Sequence, residues 1–110
     1  MTVNAWRAMW VLVVFDVPTT TREARRAYQK YRDELLKENF VQLQLSVYLR
    51  HCATLAAAEA LVARLRHRIP DDGHVVHFFL TDKQYSMTRE FLGKKSTKKK
   101  PDLPQQIELF

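Results

Sequence analysis

Residues 9–15 read Met-Trp-Val-Leu-Val-Val-Phe, apolar at each of seven consecutive positions. A strand with one wet face alternates polar and apolar residues, whereas an unbroken apolar run of this length fits a strand covered on both sides. Such a strand belongs in the middle of a sheet, so the rest of the chain must flank it on both edges and cover it. In a chain of 110 residues, 46% apolar and 27% charged, that requirement leaves room for one core and one domain.

The segments on either side carry their own periodicities. Thr20 and Glu23 stand three apart, the spacing of a capping box, and predict a helix from Thr21 to Glu38. Within it Ala24, Ala27, Tyr28, Tyr31 and Leu35 recur at helical spacing, while Arg22, Arg26, Lys30 and Lys37 gather on the other side. From Phe40 to Leu49 the pattern becomes strict alternation, with Val41, Leu43, Leu45, Val47 and Leu49 on one face and Gln42, Gln44, Ser46 and Tyr48 on the other, which reads as one strand. A second helix is expected from Leu55 to Arg68, capped by Thr54, with Ala58, Leu61, Val62, Leu65 and Ile69 facing inward. Pro70-Asp71-Asp72-Gly73 is a turn, His74 to Leu80 a third strand, and Met87 to Leu92 a short further one.

Strands joined by crossover helices give an α+β domain with a mixed sheet and both helices on one of its faces. The other face is then left bare and aliphatic, more apolar surface than a soluble monomer normally shows, and face-to-face pairing of two copies would hide it. The domain is expected to cover residues 1–93. After Gly93 a basic linker, 94–105, holds Lys94, Lys95, Lys98, Lys99 and Lys100, and the chain returns to alternating apolar residues at 106–110. Ile107, Leu109 and Phe110 behind a solvated linker suggest a strand that docks on a sheet edge.

The net charge of +6 is focused: removing the five lysines of 94–100 leaves a body of only +1. The other concentration is the first half of the first helix, where Arg22, Arg25, Arg26 and Lys30 crowd near an amino terminus whose dipole disfavours cations. They are read either as phosphate contacts or as a solvated helix face, and the lysine arm either as a nonspecific tether to nucleic acid or as a solubilising linker. Cys52 alone cannot staple the fold, and with His51, His67, His74 and His77 scattered along the chain it makes no zinc-binding pattern. His77, in an apolar strand, suits an interior or interface position. Trp6 and Trp10 suit packing on the sheet, with Trp6 alternatively meeting a partner. The apolar run is too short for a membrane span and lacks the flanks of a signal peptide, so a cytoplasmic protein with no membrane partner is expected.

Val14-Phe15-Asp16-Val17-Pro18 together with Gln42-Leu43-Gln44-Leu45-Ser46-Val47-Tyr48 resembles the paired signature of the small CRISPR-associated endoribonuclease family, partners of the CRISPR integrase in spacer acquisition. The likeness runs over nearly the whole chain, including Thr81-Asp82-Lys83-Gln84 and the basic tail, and is greatest to the branch that accompanies Cas nine type systems. It implies a ferredoxin-like βαββαβ domain with an extra C-terminal strand, in a two-fold homodimer in which that strand pairs either with its own subunit or, by exchange, with the other. It further implies a subunit that bridges integrase dimers and holds duplex DNA, with RNA as a further substrate for a metal-dependent endonuclease. The alternative is a free-standing, toxin-like metal-dependent endoribonuclease. A ferredoxin-like fold would divide 40–49 into two strands, although no Gly, Pro or Asn-Gly announces the bend.

Asp16, at the carboxyl end of the central strand, matches the family's metal-binding aspartate. By resemblance it is the catalytic and metal-ligating residue, meeting Asp16 of the partner subunit across the axis to share one Mg²⁺, or alternatively Mn²⁺. Without the resemblance, the residue is read in preference as a side chain that organises the Asp16-Val17-Pro18 turn by accepting backbone hydrogen bonds. Several relatives carry an arginine near the start of the second strand where this chain has Gln42, which weakens the expectation of strong cleavage. Ser46 and Tyr48 are read either as phosphate-orienting groups or as ordinary strand and packing residues.

Overall fold

The computed structural model describes residues 8–98. Its elements run β1 (Met9–Asp16), α1 (Arg22–Lys37), β2 (Val41–Gln44), β3 (Val47–Cys52), α2 (Leu55–Arg66), β4 (His74–Thr81) and α3 (Asp82–Ser86). The strands form one sheet in the order β2-β3-β1-β4, so the continuous apolar run is central, as its composition requires. This is an α+β, ferredoxin-like arrangement. The expected Trp6, Lys99, Lys100, Ile107, Leu109 and Phe110 contacts, and the C-terminal strand, lie outside the described residues.

Three expectations are corrected. The alternating segment 40–49 is a hairpin, β2 and β3, joined through Leu45 and Ser46. Alternation did not separate the two cases, because Val41 pairs with Leu49 and Gln42 with Tyr48, and partners across a hairpin share a face just as alternate residues along one strand do. Leu43 is the extra residue of a bulge between Gln42 and Gln44, and neither turn residue takes a positive φ. The bend is imposed from outside: the Tyr28 hydroxyl donates to the Leu45 carbonyl at 2.9 Å, and the Phe15 amide donates to the Ser46 carbonyl at 3.1 Å. The hairpin also reverses every later strand. β3 and β4 both run antiparallel to β1, so the sheet is antiparallel where a mixed one was expected.

The second correction is local. Thr21, not Thr20, caps α1, its hydroxyl accepting from the Ala24 amide at 3.0 Å. Glu23 thereby falls one place too early to close a capping box, though it still sits favourably in the first turn. The helix ends where Asn39 takes φ 65°, with the Phe40 amide donating to the Leu35 carbonyl and the Asn39 amide to that of Leu36. That is a Schellman closure, and asparagine tolerates the left-handed position better than any residue but glycine. Thr54 caps α2 as its sequence position suggests, and Gly73 donates to the Pro70 carbonyl in the turn that follows.

The third concerns the chain after β4. Thr81 caps α3 directly after β4, with a true capping box between its side chain and that of Gln84. Residues 87–92 form no strand, and Phe91 is 86% exposed.

Alternation along β1 assigns the faces. Met9, Val11, Val13 and Phe15 point to the helices and join Tyr31, Leu35, Tyr48, Leu61 and Leu65 in the core. Each such buried side chain contributes about 1.5–3 kcal/mol through removal from water. The opposite face carries Trp10, Leu12, Val14 and Asp16, paired across β4 with Leu80, Phe78, Val76 and His74. This face is not bare throughout. Tyr85 of α3 stacks on Trp10 with ring centroids 4.0 Å apart, and Trp10 and Leu49 are each only 1% exposed. Toward the other end of the strands it stays open, with Phe78 47% exposed.

Candidate nucleic-acid and metal site

Asp16 is the last residue of β1, exposed, at the end of the open sheet face. The topology sets its surroundings. On one side β4 begins with His74 directly opposite it in register. On the other, the bond from Phe15 to Ser46 brings the β2–β3 turn alongside. Among the described residues the Asp16 carboxylate accepts none of the hydrogen bonds that shape the following turn, so the turn-organising role has no support. Nor do the described residues contain any group of three or more His, Cys, Asp or Glu placed to hold a metal ion. Among its described residues one chain therefore offers a carboxylate without a partner and not a complete metal site. Mg²⁺ is commonly held by one or two protein carboxylates with water and phosphate oxygens completing its shell, so the donor chemistry of Asp16 suits such an ion.

The cations lie near this end. Five residues separate Asp16 from α1, whose amino terminus places Arg22, Arg25 and Arg26 beside the carboxyl end of β1. Arg22, Arg26 and Lys30 are four residues apart and exposed, forming one stripe along the helix. Arg25 is drawn aside, donating to the Thr19 carbonyl at 3.3 Å. Further along, Arg64 and Arg68 of the α2 region are engaged by Glu38 and Glu34, at 3.1 Å for Arg64–Glu38 and 2.9 Å for Arg68–Glu34. The Arg64 hydrogen bond, with the nearby guanidinium charges, holds the Glu38 carboxyl below its usual range against the opposing effect of burial. Lys94, Lys95 and Lys98 are exposed, and Lys98 Nζ donates to Gln44 Oε1 at 3.2 Å, which brings the lysine stretch back to the edge strand β2.

Other candidates resolve toward packing. Tyr48 is fully buried on the helix side, away from Asp16, accepting from Arg32 Nε at 3.0 Å, and burial raises its hydroxyl pKa. It is not a phosphate-orienting group. Ser46 is a half-buried turn residue, and Gln42 is an exposed residue of β2 whose amide reaches the Leu45 carbonyl. Cys52 is buried, and desolvation pushes its thiol up, so it is not a reactive nucleophile. His77 faces the helices, its Nε2 has no partner among the described residues, and burial lowers its pKa.

Sequence reasoning missed Asp82, the one buried charged side chain among the described residues, at 5% exposure. It accepts from Trp10 Nε1 at 2.6 Å and lies 3.3 Å from His51 Nε2, fastening α3 to the sheet. The available signal was Trp10 itself, since an indole buried in a sheet needs an acceptor.

Similarity to known proteins agrees with this geometry. A family model described as CRISPR associated protein Cas2 matches residues 9–88. A protein of Flavobacterium psychrophilum named CRISPR-associated endoribonuclease Cas2 is 41% identical over 108 residues, covering 97% of this chain and 92% of its own. A protein of the same name from Parvibaculum lavamentivorans is 40% identical over 102 residues, covering 93% of this chain and all of its own length, 100%. Among solved structures, Streptococcus pyogenes Cas2 at pH 6.5 is 26% identical, with a TM-score of 0.56 over 76% of this chain and 99% of that one. No helix of the described residues is long and apolar enough to cross a membrane.

Proposed function

This chain belongs to the Cas2 family of CRISPR-associated proteins, and from that premise we propose that it serves spacer acquisition as a homodimer that binds duplex DNA and bridges integrase dimers, with a metal-dependent phosphodiesterase centre at Asp16. The observation that carries the reading is the position of Asp16. It is an exposed carboxylate with no hydrogen-bond or ion-pair partner among the described residues, at the edge of a half-open apolar face, with cations at the same end of the molecule. Pairing two copies through that face removes Leu12, Val14 and Phe78 from water and places the two carboxylates at a common rim.

Asp16 of each subunit would hold the ion. A divalent cation there offsets the repulsion between the carboxylates and supplies a Lewis acid for attack of water on a phosphodiester. The chain's own contribution is positioning. Arg22, Arg26 and Lys30 neutralise successive phosphates, and Lys94, Lys95 and Lys98 extend the cationic surface toward β2. The relatives' name, endoribonuclease, favours a second reading in which RNA cleavage by the free dimer is itself the function.

Two measurements test this. In nuclease-free preparations, Asp16→Asn should abolish metal-dependent cleavage, by about 100-fold or more, while leaving duplex binding intact; unchanged cleavage overturns the Asp16 centre. Co-purification with a co-expressed integrase supports the bridging role. A dimer that cleaves RNA with Mg²⁺ yet retains no integrase points to the free-standing enzyme instead.

A further inference from the structure

We propose that His74 is a second metal-ligating side chain beside Asp16, giving the centre a mixed oxygen and nitrogen donor set and a preference for transition-metal ions over Mg²⁺. The inference rests on the Asp16 centre proposed above and goes beyond it.

The argument begins with register. On the open face, β1 and β4 present three successive cross-strand pairs, Leu12–Phe78, Val14–Val76 and Asp16–His74. Two apolar pairs are followed by one of ionisable residues, at the rim of the face that a second copy would cover. Residues directly opposite in an antiparallel pair share a face with Cβ atoms about 4.5–5.5 Å apart, close enough for a carboxylate and an imidazole to meet on one ion. Both residues are exposed, and His74 is the first residue of its strand, so neither side chain is committed to the core.

The turn before His74 fixes this pairing. A Cβ added at Gly73 would lie 3.2 Å from Val17 Cγ2 and 3.3 Å from the Pro70 carbonyl, so glycine lets the turn close tightly against the residue after Asp16. β4 consequently starts level with the end of β1, and the imidazole arrives opposite the carboxylate. In the dimer the set becomes two carboxylates and two imidazoles. Carboxylate and water suit Mg²⁺, whereas imidazole adds affinity for first-row transition ions.

The test uses the full-length dimer and Mn²⁺ as the probe, read by electron spin echo envelope modulation for a coordinated imidazole nitrogen and by titration calorimetry in competing Mg²⁺. Wild type is expected to show the nitrogen coupling. His74→Ala and His74→Gln should lose it and bind Mn²⁺ about tenfold more weakly or worse, with Mg²⁺ affinity changed far less. Circular dichroism and thermal melting confirm that the variants fold. If the coupling and the Mn²⁺ affinity survive in both variants while Asp16→Asn loses the ion, the His74 assignment is overturned and the Asp16 centre stands. If neither His74 nor Asp16 substitutions alter Mn²⁺ binding, both fall.

Discussion

At the residue scale, what a side chain does in this protein follows from which face of the sheet it reaches. Tyr48 is a candidate to orient phosphate and Asp16 a candidate metal ligand by sequence, yet Tyr48 pairs with Val13 and is buried under the helices, while Asp16 pairs with His74 on the other side. Asp82, exposed-looking by residue type, is the acceptor for a buried indole. His77 shows how burial becomes pH dependence. Desolvation depresses its pKa in the folded state, so the unfolded chain binds the proton more tightly. Its contribution to stability is therefore complete above the ordinary histidine range and is lost as pH falls through that range toward the depressed folded value. In urea titrations from pH 8 to pH 5, His77→Phe should flatten the pH dependence of the unfolding free energy. An equally steep slope in the variant would show that His77 does not contribute.

At the element scale, local hydrogen-bonding signals located both long helices to within a residue of their starts, and the feature that needed distant partners was not marked locally. The caps are the clearest case. Thr54 is the cap of α2, whereas the spacing Thr20–Glu23 pointed one residue away from the true cap of α1. Three consecutive threonines at 19–21 offer three candidates, and the choice falls on the one whose hydroxyl meets the Ala24 amide. Thr21→Ala should cost about 1 kcal/mol by chemical denaturation, with Thr20→Ala nearly neutral; equal losses would mean that the cap is shared. The β2–β3 bend is the opposite case. Leu45 and Ser46 carry no turn chemistry, and the reversal is held by Tyr28 from α1 and Phe15 from β1, residues remote in sequence. A bend fixed by tertiary contacts leaves no local mark.

At the scale of the whole molecule, the sheet has one face sealed by helices and another divided between a covered and an open half. α3 seals the half around Trp10 and Leu49, and the half bearing Leu12, Val14, Val76 and Phe78 leads to Asp16. Dimerisation through the open half is expected to respond to charge placed there. Phe78→Glu should convert the dimer to a folded monomer in sedimentation velocity, because Phe78 is 47% exposed in the single chain and its replacement leaves the helix-side core intact. Persistence of the dimer would move the interface elsewhere, and with it the shared position of the two carboxylates.

The central strand, both long helices with their apolar stripes and the chain's place in its family were legible in the sequence, because each is written in periodicity or in an ordered run of residue types. The periodicity of 40–49 hid the reversal that the resemblance implied, and the tertiary structure alone set where it bends, that every strand runs antiparallel to its neighbour, and that His74 stands opposite Asp16. Those facts depend on strand register and direction, which are properties of pairs of segments and are set by contacts between residues far apart along the chain.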